Sequence, residues 1–102
     1  MMLKKFLSRQ DFSSYEDFKA NYRVTVPPRF NFAYDIVDGW AELDDAKPAL
    51  AWIDDRQQEI SRYSFGDMKR MSNQAANLFK SLGIRKGDTV LLILRQRVEV
   101  WV

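Results

Sequence analysis

The stretch SRYSFGDMKRMSNQAANLFKSLGIRKGDTVLLIL, residues 61–94, decides the fold. Ser64 stands where a helix N-cap is needed, Asp67 falls at the third helical position to complete a capping box, and Tyr63 before the cap can staple onto Met68. Met68, Met71, Ala75, Leu78 or Phe79, and Leu82 recur at the helical period and define one apolar face. Gly83 can take the left-handed conformation that closes a helix, with Ile84 folding back over it. RKGD then turns the chain into TVLLIL, residues 89–94, an apolar run with no alternation. A strand apolar on both faces needs cover on both faces, the habit of parallel strands in layered α/β proteins. Strand, helix and strand in this order predict a right-handed crossover unit, with the helix over 64–82 covering one face of 89–94. The N-terminal helices, or residues after 102, are left to cover the other.

Outward from that unit the chain divides into short elements. Ser13 and Ser14 precede Tyr15, Phe18 and Tyr22, and Glu16 lies three residues after Ser13, a capping-box spacing that opens a short helix with an aromatic stripe. Val26, Pro27 and Pro28 end it. Asn31 can cap a second helix with Phe32, Ile36, Trp40 and Leu43 on its apolar side and Asp35, Asp38 and Glu42 opposite, weakened slightly by Gly39. ALAWI (49–53), the polar turn DDRQQ and EISRYS then predict a two-stranded antiparallel ribbon. The class is α/β: N-terminal helices, a short antiparallel ribbon and a strand-helix-strand unit. It is organised as one partial domain over 1–102, with a flexible arm over 1–13.

Composition bounds what such a chain can do. At 102 residues its own core is modest, since domains near this size bury only about 60–65% of the unfolded chain's surface. Yet 46% of the residues are hydrophobic and 14% aromatic, so part of that apolar surface expects a partner. The net charge of +2 is too small for a nucleic-acid footprint. It hides an uneven distribution: residues 1–30 sum to +3, 31–60 to −6 and 61–102 to +5. Without Cys or His there is no disulfide framework, no thiolate site and no imidazole base or ligand. The opening MMLKKFLSRQ lacks the apolar run of a secretory signal, and no stretch approaches the ~18 apolar residues of a membrane span, so the expected compartment is the cytoplasm.

The chemistry-bearing candidates are few. No GxxxxGK[ST], GxGxxG, GxSxG, CxxC or HExxH pattern is present. Asp44 with Asp45, and Asp54 with Asp55, have the charge for a hard cation but are read as turn formers and helix-end solubilisers. Arg95 and Arg97 follow a strand end, where phosphates gather in α/β folds, and are read as a solvated or salt-bridged helix start. Met68 and Met71 are core, and Trp40, Trp52 and Trp101 are packing anchors. No residue is assigned a catalytic, cofactor-binding or metal-binding role.

A family resemblance rests on FNFAYDIVDGWAE (30–42), KPALAWIDD (47–55), residues 61–94 and RVEVW (97–101). Their succession resembles the N-terminal part of an AMP-forming acyl-CoA synthetase, of the adenylate-forming ligase superfamily, most closely the medium-chain type. Gln74, Ala75, Ala76 and Asn77 match the family's helix, Gly83, Lys86, Gly87 and Asp88 its exit turn, and Glu99 and Trp101 the helix that follows. Arg95 and Val98 depart from the prolines that medium-chain relatives often carry there. The resemblance implies a scaffold piece of the large N-terminal domain of an enzyme. That enzyme activates a carboxylic (fatty) acid with ATP to an acyl-adenylate and transfers the acyl group to CoA, using ATP, Mg²⁺ and CoA. The phosphate loop, Mg²⁺-binding acid, adenine platform and catalytic lysine of such enzymes have no counterpart in these residues. The chain alone is therefore expected to be inactive and to bind none of the cofactors, with the rest of its polypeptide as partner, no nucleic acid and no membrane span. The alternative is a freestanding, non-catalytic α/β interaction module that self-associates through its exposed apolar surface. A non-catalytic nucleotide-binding domain has only Arg95 and Arg97 in its favour.

Overall fold

The computed structural model describes residues 2–102, so the first residue of the arm expected over 1–13 lies outside the described residues. In chain order it has a 3₁₀ turn at Met2–Lys5, helix α1 (Tyr15–Asn21), a π-helical segment Ala33–Asp38 continuing into helix α2 (Gly39–Leu43), strands β1 (Pro48–Ile53) and β2 (Glu59–Ser64), helix α3 (Phe65–Ser81) and a 3₁₀ turn at Val98–Val100. The architecture is helices plus a two-stranded antiparallel sheet, which bears out the α/β class in that coarse form.

Helix α3 forms as its sequence dictates. The Ser64 hydroxyl accepts the Asp67 N–H at 3.1 Å and the Asp67 carboxylate accepts the Ser64 N–H at 2.9 Å, a reciprocal capping box that satisfies two backbone donors at once. At the other end Gly83 adopts φ +80°, and the Ile84 N–H returns to the Phe79 carbonyl at 3.1 Å, the six-to-one bond of a Schellman close. Removing the hydroxyl in Ser64→Ala is expected to cost about 1 kcal/mol, read as a lower urea midpoint with an unchanged slope.

Helix α1 is capped one residue later than its spacing predicts. Ser14, not Ser13, accepts the N–H of Asp17 at 3.1 Å, because Asp17 is pinned from outside the helix. Arg9 grips both Asp17 oxygens, at 2.8 and 2.6 Å, and the Ser13 N–H donates to the same carboxylate at 2.9 Å. The π-helical segment brings a second departure. Asp38, expected on the polar side of a regular helix, is only 8% exposed. A π turn closes i→i+5 bonds and packs more residues into each turn, so the face presented inward rotates along the segment. Phe32 and Leu43, expected inside, are exposed, whereas Ile36 and Trp40 are half-buried. Gly39 has a positional reason: a Cβ there would overlap the Met2 thioether methyl, which crosses the helix at that point.

The largest departure is at 89–94. The expected parallel strand is absent: these residues make no strand ladder, and Leu91 is 81% and Ile93 86% exposed. The strand before α3 is β2, whose partner is β1, so among the described residues no neighbour exists for 89–94 to pair with. The crossover unit is accordingly not closed, and the N-terminal helices do not cover the segment. Past the segment Val98 is buried and Val102 half-buried, but Trp101, expected to be a packing anchor, stands out into solvent.

The core is correspondingly thin. Met2, Phe6, Ala41, Met68 and Val98 are its buried apolar side chains among the described residues. Within the segment expected to be an arm, Phe6 meets the Phe30 ring edge-on at 5.9 Å and Leu7 bridges to Val24. The radius of gyration is 17.4 Å, against about 13 Å for a compact chain of this length. The accessible surface is 8725 Å², where size scaling for compact monomers gives about 6,000 Å².

Candidate functional site

Two of the four candidate acids, Asp44 and Asp54, serve the backbone. The Asp54 carboxylate accepts the N–H groups of Arg56 and Gln58 at 3.0 and 2.9 Å, holding the ribbon turn, in which Gln57 adopts φ +58°. Asp44 accepts the Ala46 N–H at 3.2 Å. Asp45 sits beneath Gly66, where a Cβ would overlap its carboxylate, and lies 3.5 Å from Arg70. Asp55 is exposed in the ribbon turn. No group of three or more His, Cys, Asp or Glu side chains converges as a metal site among the described residues.

The basic pair after 89–94 is divided. Arg97 lies 3.8 Å from Glu99, an exposed i,i+2 ion pair, and Arg95 projects into solvent. The resemblance-matched exit turn is structural: Gly87 takes φ +98°, and the Asp88 carboxylate accepts the Arg85 N–H at 2.7 Å. Gln74 and Asn77 face solvent on α3.

The tryptophans divide as well. Trp40 packs against Phe65 with ring centroids 5.9 Å apart, and the Lys47 ammonium lies 4.9 Å over its face. Trp52 donates its indole N–H to the Gln96 carbonyl at 3.0 Å, tying the ribbon to the C-terminal segment. Trp52 and Trp101 share an open groove of about 470 Å³ between β1 and the Val98–Val100 turn, with Leu50, Ile53 and Arg97 on its walls. A second groove, smaller at about 210 Å³, lies between Tyr34, Ala75, Ala76, Phe79 and Val102. Neither holds a nucleophile beside a base.

Two features escape sequence reading. The Arg9–Asp17 clamp joins residues eight apart across an irregular segment, with no periodicity to announce it. Asp38 buries an Oδ1 that has no hydrogen-bond partner, and only the π register brings it inward.

No family model matches the chain. Individual relatives do. It is 35% identical over 98 residues, 90% of this chain, to acyl-coenzyme A synthetase ACSM3, mitochondrial, of Mus musculus. The Homo sapiens protein of the same name is 36% identical over the same span, and acyl-coenzyme A synthetase ACSM2A, mitochondrial, of Homo sapiens is 35% identical over 82 residues. The stretch is homologous to acyl-coenzyme A synthetases. It spans 17% of the length of the ACSM3 relatives and 14% of ACSM2A. The expectation of a cytoplasmic protein is corrected by these names, all of which specify mitochondrial enzymes. That expectation rested on the lack of a secretory apolar run, a test blind to import into mitochondria, whose transit signals are amphipathic and basic. No described helix is long and apolar enough to cross a membrane.

Proposed function

We propose that this chain is the N-terminal scaffold portion of an AMP-forming, medium-chain-type acyl-CoA synthetase. The whole enzyme joins a carboxylic acid to the α-phosphate of ATP with release of pyrophosphate, then passes the acyl group to the thiol of CoA with release of AMP. The observation that carries this reading is the 35% identity extending over 90% of the chain to an acyl-coenzyme A synthetase.

The residues present do not fit ATP, Mg²⁺ or CoA. Asp44, Asp54 and Asp67 are occupied by turns and a cap, and Asp45 and Arg97 lie in ion pairs with Arg70 and Glu99. No step of the reaction is therefore assigned to this chain, and its part is to place α3 and the ribbon for the domain built on them. In an ATP-dependent pyrophosphate-release assay with a medium-chain acid and Mg²⁺, the 102-residue chain should give only background. The polypeptide extended to the relatives' length should turn over and form acyl-CoA when CoA is added. Turnover by the short chain would refute the scaffold role, and a silent extended protein would refute the ligase reading.

A further inference from the structure

Residues 2–9 meet their partners in reverse chain order. Met2 crosses Gly39 so closely that a Cβ there would overlap its methyl. Lys5 pairs with Asp35 at 2.8 Å. Phe6 meets the Phe30 ring edge-on at 5.9 Å, and its carbonyl accepts the Thr25 N–H at 2.8 Å. Leu7 bridges antiparallel to Val24, and Arg9 grips both Asp17 oxygens at 2.8 and 2.6 Å. Phe12 then packs edge-on against Phe18, with ring centroids 5.3 Å apart, and stands 6.4 Å from the Tyr22 ring. One end of this run is therefore seated on residues 24–39 and the other on α1. We infer that residues 2–12 form a strap that docks α1 onto the π-helical segment and the loop before it, so that α1 keeps its helix only while the strap is seated at both ends.

Helix α1 needs such support because of its size. It has seven residues, and isolated helices shorter than about 12–15 residues are marginal in water. It buries none of its own side chains, and its Ser14 cap satisfies the N–H of Asp17 alone. The strap supplies the rest through one side chain that faces two ways. The Arg9 guanidinium forks onto the Asp17 carboxylate and lies 4.9 Å over the Phe12 ring, while its Nε donates to the Asp11 carbonyl at 2.9 Å and fixes the fork. Helix α3 is the contrast: seventeen residues, a reciprocal capping box and a glycine close of its own make it indifferent to the strap.

Native-state amide hydrogen exchange reads the two helices separately. The Phe18 and Tyr22 amides, bonded to the Ser14 and Phe18 carbonyls at 3.0 and 2.8 Å, report α1, and the amides of residues 72–76 report α3. Arg9→Gln replaces a half-exposed side chain and should speed exchange of the α1 amides about tenfold, leaving 72–76 unchanged. Lys5→Gln cuts the far anchor, whose partner Asp35 lies outside α1, and should speed the same α1 amides about threefold. Lys4→Gln removes a strap cation that belongs to neither of these ion pairs and should change nothing. Unchanged α1 amides in Arg9→Gln would overturn the strap. An effect of Arg9→Gln with none of Lys5→Gln would overturn it as well, because Arg9 would then be a clamp local to α1. Equal acceleration of the α1 and α3 amides would overturn separate docking of α1. A response to Lys4→Gln as large as that to Lys5→Gln would overturn the role of the far anchor, by assigning the effect to net charge. None of these outcomes bears on the ligase assay.

Discussion

The Met68→Ala chain is expected to lose about 2–5 kcal/mol of stability and to be largely unfolded at room temperature. Met68 is 7% exposed, on the face of α3 directed at the rest of the molecule, and the other buried apolar side chains among the described residues are Met2, Phe6, Ala41 and Val98. A core this small has few neighbours to collapse into the space left by three heavy atoms, which puts the cost toward the upper part of the range for Met truncation. The total available to lose is also small, because the chain buries an unusually low share of its surface. Thermal melts followed at 222 nm should show a broad, low transition for the variant. Leu91→Ala removes a similar side chain that is 81% exposed, and its melt should coincide with that of the unaltered chain. If the two variants melted alike, Met68 would not be a core residue and the packing of α3 described above would be wrong.

The contrast between Met68 and Leu91 also shows what sequence can and cannot convey. Met68 lies on a helix whose caps, three residues apart at one end and a glycine turn at the other, are local interactions, so α3 is readable without knowledge of the remainder, whereas its expected apolar face is not all inward: Leu78 and Leu82 are exposed. TVLLIL is equally apolar, and its lack of alternation correctly signals a need for cover on both faces. Nothing in the run names the covering element, and pairing is a long-range property. Asp38 fails for another reason: the helical wheel assumes one number of residues per turn, and the π-helical segment has another. For the site, residue types were informative mainly by what they lack. Asp44, Asp54 and Arg97 are drawn into turns and an ion pair by groups two to four residues away. The enzymatic reading came from the order of motifs over most of the chain, a property of ancestry that no single side chain encodes.

Acid should weaken this chain from about pH 4 downward. Among the described residues three carboxylates have shifted acidities, all below the ordinary aspartate range, and in each the first cause is a backbone N–H donated to the carboxylate. Ser13 donates to Asp17, Asn31 to Asp35 and Ser64 to Asp67. Arg9, Lys5 and Arg70 add charge-assisted hydrogen bonds to the same three groups. A carboxylate whose folded pKa lies below its unfolded value, about 3.9, takes up its proton more readily in the unfolded chain. Its contribution is thus fully present above that value and is lost as pH falls through the folded pKa. The melting temperature should hold steady between pH 7 and 5 and then fall continuously from pH 4 to 2. Asp17 has the most strongly lowered pKa of the three and fixes the arm to α1 through Arg9, so Asp17→Asn should lower the plateau and make the acid limb shallower. The amide cannot titrate, and its neutral oxygen is a weaker acceptor for the guanidinium and the Ser13 N–H. An acid limb of equal steepness in the two proteins would show that the Asp17 clamp does not control acid stability.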